Sequence, residues 1–173
     1  MLSVRPGLWH DVEQLIMGPQ LFDELAVMQS EKLCRTMHDE LLEWTEDYKA
    51  HCVKMSLATP TPKELAMRRE LFGTSLECLV LVKRLLATVC GEERLKLEQD
   101  VQALAHLIFD LQKQPSPKHS WLFTSHEVGV AYTAVITRDE WESGDVSTTL
   151  YDKKLAARAR YAEWNKMLRM SDG

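Results

Sequence analysis

The triplet Ser125-His126-Glu127 holds the residues of this chain best suited to acid–base chemistry. Imidazole titrates close to neutral pH, so a histidine between a hydroxyl and a carboxylate can relay protons there. His119, a short way upstream, offers a second imidazole. No nucleophile motif and no glycine turn suited to an oxyanion accompanies the group. His126 and Glu127 are therefore candidate catalytic residues set against a plainer alternative. In that alternative Ser125 caps the start of a helix, which uses its oxygen, and His126 is hydrogen-bonded or exposed. The same region supplies Trp121, Phe123 and Tyr132. Together with His126 they are the expected lining of a ligand or partner pocket, because aromatic side chains suit adaptable apolar sites. They equally suit an ordinary core.

Metal chemistry has weaker support. Cys34 and His38 are four residues apart and would share one face of a helix, with Asp39 and Glu40 beside them. Zinc needs three or four convergent ligands, and neither an HExxH motif nor a second spaced Cys/His pair completes the set. Di-iron bundles need Glu-x-x-His pairs, which are absent from the sequence. Asp39-Glu40 and the acidic run Glu43 to Asp47 raise the question of magnesium and diphosphate, but they fall where a solvated helix face is expected. Cys90 sits at a helix start, a place that can lower a thiol pKa; a buried cysteine closing the preceding apolar helix is the alternative. The expectation is a chain without metal or cofactor.

The elements that must position these residues are helices. From Gln20 to about Met55, the residues Leu21, Leu25, Met28, Leu33, Met37, Leu41, Trp44 and Tyr48 step by three to five. That spacing predicts one broad apolar stripe on a long helix, with room for a bend. Thr61-Pro62-Lys63-Glu64 is a start signal: a capping threonine, a proline at the first position and a glutamate to complete a capping box. The helix that follows is apolar almost all round at Cys78 to Val82, as a central bundle helix should be. Gly73 within it suits close packing of a neighbour. Gly91 is expected to end that helix in the usual glycine role, and Glu92-Glu93 to begin another that runs to about Lys113. Pro115 and Pro117 stop it. Val128, Val130, Val135 and Ile136 favour strand by propensity. No partner strand is evident, so Ser125 to about Thr137 is predicted to be helix, followed by a loop at Ser143-Gly144-Asp145. A last helix spans about Thr148 to Met170.

The predicted fold is all-α, an irregular antiparallel bundle or array of about five or six helices. Residues 1–19 are expected as an N-terminal extension, 20–146 as the helical domain, and 147–173 as a C-terminal helix that packs or projects. With 173 residues and 45% hydrophobic content the chain can bury a real core. A net charge of −5 disfavours direct contact with nucleic acid. The N-terminus lacks the continuous apolar stretch of a signal peptide, and no window approaches the ~18 apolar residues of a membrane span. The four cysteines are scattered, which fits a reducing intracellular compartment.

The stretch Ser75 to Thr137, SLECLVLVKRLLATVCGEERLKLEQDVQALAHLIFDLQKQPSPKHSWLFTSHEVGVAYTAVIT, places long helices before a proline-containing turn, a Trp-bearing segment and another apolar helix. In that order of elements it resembles the C-terminal part of the regulatory region of fungal zinc-cluster transcription factors. The stretch around Cys34 to Met55 is compatible with it. Those factors carry six closely spaced cysteines that bind two zinc ions and contact DNA, and the four scattered cysteines here match none of them. The resemblance implies a regulatory-region relative acting in the nucleus, through a protein partner or a small apolar effector, within the control of a metabolic gene cluster. A small helical enzyme of cyclase or isomerase type, acting on an apolar metabolite, is the alternative.

Overall fold

Local sequence decides where the helices begin and end. In the computed structural model, which describes residues 6–18, 24–55, 60–113, 121–144 and 149–171, Thr61 caps a helix as expected. Its side chain accepts from the Glu64 N–H at 3.3 Å, and the Thr61 N–H donates to the Glu64 carboxylate at 2.7 Å. Two backbone donors at the helix start are thereby satisfied. Thr61→Ala is expected to cost about 1 kcal/mol, read as a lower urea midpoint. An unchanged midpoint would show that the cap contributes nothing.

In chain order the helices are α1 (Pro6–Met17), α2 (Glu24–Met55), α3 (Pro62–Val89), α4 (Arg94–Gln112), α5 (Trp121–Ile136), α6 (Arg138–Glu142) and α7 (Leu150–Ser171), with a 3-10 turn at Gly91–Glu93. The fold is all-α, and no strand occurs among the described residues. No described helix is long and apolar enough to cross a membrane. Leu21, Pro115, Pro117, His119 and Asp145 lie outside the described residues.

Helix α3 is central and packs against α1, α2, α4, α5 and α7. Its second half is buried nearly all round, including Leu76, Leu79, Val80, Val82, Leu85 and Leu86. Around it lie Val101, Ala105 and Ile108 of α4 and Val130, Ala131 and Ala134 of α5. The stretch expected as an N-terminal extension contains α1 instead, and Leu8, Val12 and Ile16 put one side of it into the core. Their four-residue spacing makes a single apolar ridge, which needs cover from water. The last helix packs rather than projects: Tyr161 and Trp164 are fully buried, and Trp164 meets Trp9 of α1 and Trp141 of α6 at centroid distances of 5.4 and 5.9 Å.

Three local expectations are corrected. Gly91 does not end α3 in a left-handed conformation. The helix closes at Cys90, whose N–H donates to the Leu86 carbonyl at 2.7 Å, and Gly91 opens the 3-10 turn. Ser125 does not cap α5, because the helix already begins at Trp121 and no proline or glycine in its first four residues stops it. The stripe on α2 is not one face. The helix runs unbroken for 32 residues, and at about 100° per residue Leu25 and Met28 fall opposite Met37 and Leu41. The buried face is Ser30, Cys34, Met37, Leu41 and Thr45, while Leu25 and Met28 are 54% and 61% exposed.

Candidate functional site

Helix α5 packs on α3 and brings the expected acid–base residues against it. The His126 Nδ1 lies 2.7 Å from the Glu77 Oε1, with the imidazole half-exposed and the carboxylate mostly covered. Glu127, the next residue, turns inward and is only 4% exposed. Its carboxylate occupies the space above Gly73, where a Cβ would overlap it. Gly73 thus serves close packing as expected, with a carboxylate as the group admitted. Burial pushes the Glu127 carboxyl up to about 7, and the nearby charge of Glu77 adds to the rise. Arg69 and a hydrogen bond with Thr74 oppose it. The Glu127 Oε1 has no hydrogen-bond partner among the described residues. The arrangement can hold a proton near neutral pH.

Of the expected pocket residues, His126 and Tyr132 have described side chains, and these two do not share one place. His126 borders a shallow depression of about 250 Å³ with Trp9, Leu81, Val130, Asn165, Leu168 and Arg169. Glu127 is absent from that lining. Tyr132 is 57% exposed, six residues along α5 and therefore turned well away from His126. Trp121 and Phe123 are in the first turn of α5, but their side chains lie outside the described residues.

Cys34 is fully buried, and burial pushes its thiol up to about 12. The His38 Nδ1 pairs with the Asp39 Oδ1 at 3.1 Å. Among the described residues no three His, Cys, Asp or Glu side chains converge in a way that could hold a metal ion. The Cys90 thiol is raised by burial, and its Sγ accepts a hydrogen bond from Arg35 at 3.3 Å.

A second buried polar group was not anticipated from the sequence. Arg84 of α3 and Glu98 of α4 form an ion pair of 2.6 Å, with both side chains 0% exposed. Arg84 also donates to the Thr137 hydroxyl at 2.6 Å and to the Ala134 carbonyl at 2.9 Å. Gln102 donates to Glu98 at 2.7 Å and to the same carbonyl at 2.9 Å. The guanidinium carbon stands 4.4 Å from the centre of the Trp141 ring. Loss of water pushes the Glu98 carboxyl up and the Arg84 guanidinium down, and each charge opposes the other's shift. Arg94 extends the group by donating to the Trp141 carbonyl and, at 2.8 Å, to the Ser143 carbonyl. These donors satisfy carbonyls at the ends of α5 and α6, where helix bonds run out. The group fixes the corner between the two helices. Its one sequence signal is the interruption of an apolar run by Lys83-Arg84.

Outside this core, several large apolar side chains face water, including Leu25 and Met28 on α2, Val53 at its end, and Leu65 and Met67 at the start of α3. Comparison of the chain with family models, with curated proteins and with solved structures finds no match.

Proposed function

We propose that this chain is a non-catalytic helical interaction module that works through contacts made by the outer face of α2. The observation that carries the proposal is the pair Leu25 and Met28, held in the open on the side of α2 opposite its core face. Neither side chain contributes much to the chain's own core. Covering the exposed part of each against a partner would contribute roughly 1–2 kcal/mol. The resemblance of Ser75 to Thr137 to the regulatory region of fungal zinc-cluster transcription factors extends the proposal to gene regulation in the nucleus, in the service of a metabolic gene cluster. The partner is then a protein or a small apolar effector. The acidic net charge supports protein contact over direct DNA contact.

The test is a photo-crosslinking residue placed at Met28, with a control at the exposed Asp139 on α6. A discrete higher-mass adduct is expected from position 28 and none from position 139. Leu25→Glu/Met28→Glu is expected to abolish the response of a reporter to which the chain is tethered by a foreign DNA-binding domain, with the thermal melt unchanged. A strict monomer that yields no adduct and an unaltered reporter response would count against the module. The alternative, a small helical enzyme on an apolar metabolite, draws on the raised Glu127 carboxyl beside the His126–Glu77 pair. It has less support, because that carboxylate packs on Gly73 instead of facing the depression that His126 borders.

A further inference from the structure

Helix α7 turns Arg160, Tyr161, Trp164 and Leu168 into the fold. At about 100° per residue, Leu155, Ala162 and Lys166 fall on its other side, with Tyr151 and Arg169 at the edge of that face. Tyr151 and Leu155 are 54% and 41% exposed. Further along, Lys166 and Arg169 carry their charge mostly in water. Lys166 stands 4.0 Å from Glu163, and Arg169 shares the Glu13 carboxylate with Asn165. Ion pairs as exposed as these restrain their side chains little. The outer face of α7 therefore starts apolar and ends cationic. The outer face of α2 starts apolar and ends anionic. Leu25 and Met28 are followed on that side by Asp39 and Glu43, which are exposed. Asp39 has its neighbour His38, and Glu43 has no cation within ion-pair distance among the described residues. The spacings agree. Eleven residues separate Met28 from Asp39, and eleven separate Leu155 from Lys166. Either step is about 16 Å along a helix axis.

We infer that the outer face of α2 binds the outer face of α7 in a second copy of this chain, with the two helices running in the same direction. Met28 lies on Leu155, and Leu25 lies beside Tyr151. Asp39 meets Lys166, and Glu43 meets Arg169. Lys32, between the two groups on α2, falls level with Ala159, a small side chain that leaves room for it. The opposite direction would set the carboxylates against Tyr151 and Leu155, so charge fixes the polarity of the contact. The two faces differ, so copies join head to tail. The inference rests on the interaction module and names its partner.

The experiment uses the purified full chain. With the photo-crosslinking residue at Met28, an adduct of twice the chain mass is expected, joined to the α7 peptide that carries Leu155. In sedimentation the native chain is expected to self-associate as its concentration rises, and less so as salt is added. Asp39→Lys and Lys166→Glu each set like charges against each other and are expected to weaken association by about tenfold. An equimolar mixture of the two variants is expected to recover it, because each chain then finds the opposite charge on the other. Circular dichroism and melting temperature confirm that the variants are folded. A chain that stays monomeric up to about 1 mM, an adduct joined to a helix other than α7, or a mixture no stronger than either variant alone overturns the inference. If Met28 captures a different protein in cells and no second copy in the purified chain, the module stands and this inference falls. If it captures neither, both fall.

Discussion

Arg84→Ala is expected to destabilise the fold by about 3–5 kcal/mol. The cost comes mainly from what is left behind. Glu98 would remain fully buried without its cation, and the Thr137 hydroxyl would lose its donor. Gln102 still reaches Glu98 and the Ala134 carbonyl, but an amide cannot neutralise a carboxylate. For a chain of this size the loss corresponds to a fall in Tm of roughly 6–20 °C. Replacing both charges is expected to behave differently. Arg84→Met/Glu98→Leu removes the whole desolvation cost together with the pair, so it should recover most of the loss. Urea unfolding of the two single variants and the double variant measures the coupling. A double variant no more stable than Arg84→Ala would show that the ion pair is not what the core depends on.

Glu127→Gln is expected to stabilise the chain at high pH and do little at low pH. In the unfolded chain this carboxyl titrates near 4.5, and in the fold near 7. The groups that face it are Glu77 and Glu70, which raise it, and Arg69 and Thr74, which lower it. Below pH 4.5 it is protonated in both states and the fold bears no penalty. Between 4.5 and 7 the unfolded chain releases the proton while the fold retains it, so stability falls as pH rises. Above 7 the full difference, roughly 3 kcal/mol, has been lost. The isosteric amide has no charge to desolvate. Stability of the native chain, measured by urea at steps from pH 4 to 8, should therefore decline more steeply than that of Glu127→Gln. Parallel curves would place the proton elsewhere.

What could be read from the sequence was local. The Thr61–Glu64 box was legible because both partners lie within one turn of each other. The helix over the valines of α5 was legible because the sequence offers no evident second strand to pair with them. The outer face of α2 was not legible from hydropathy. Its buried side includes Ser30, Cys34 and Thr45, which look polar or neutral, while Leu25 and Met28 look like core and are not. At the site, His126 and Glu127 stood out by type, but their setting depends on Glu77 and Gly73, about fifty residues away on α3. The same holds for Arg84: a charge inside an apolar run can be noticed, but its partners on α4 and α5 come from packing, which spacing along the chain does not encode.

The pairing of α1 with α7 bears on how the chain is made. Glu13 accepts from Asn165 at 2.9 Å, across a separation of 152 residues, and Arg169 joins the same carboxylate at 3.2 Å. At ordinary rates of synthesis those partners emerge from the ribosome roughly 8–30 s after Glu13 itself. Throughout that interval the ridge of Leu8, Val12 and Ile16 lacks the last helix that covers it, while α2 and α3 can already pair with each other. Until α7 emerges the first helix has only α2 and α3 to pack on, and its contact with α7 closes the fold last.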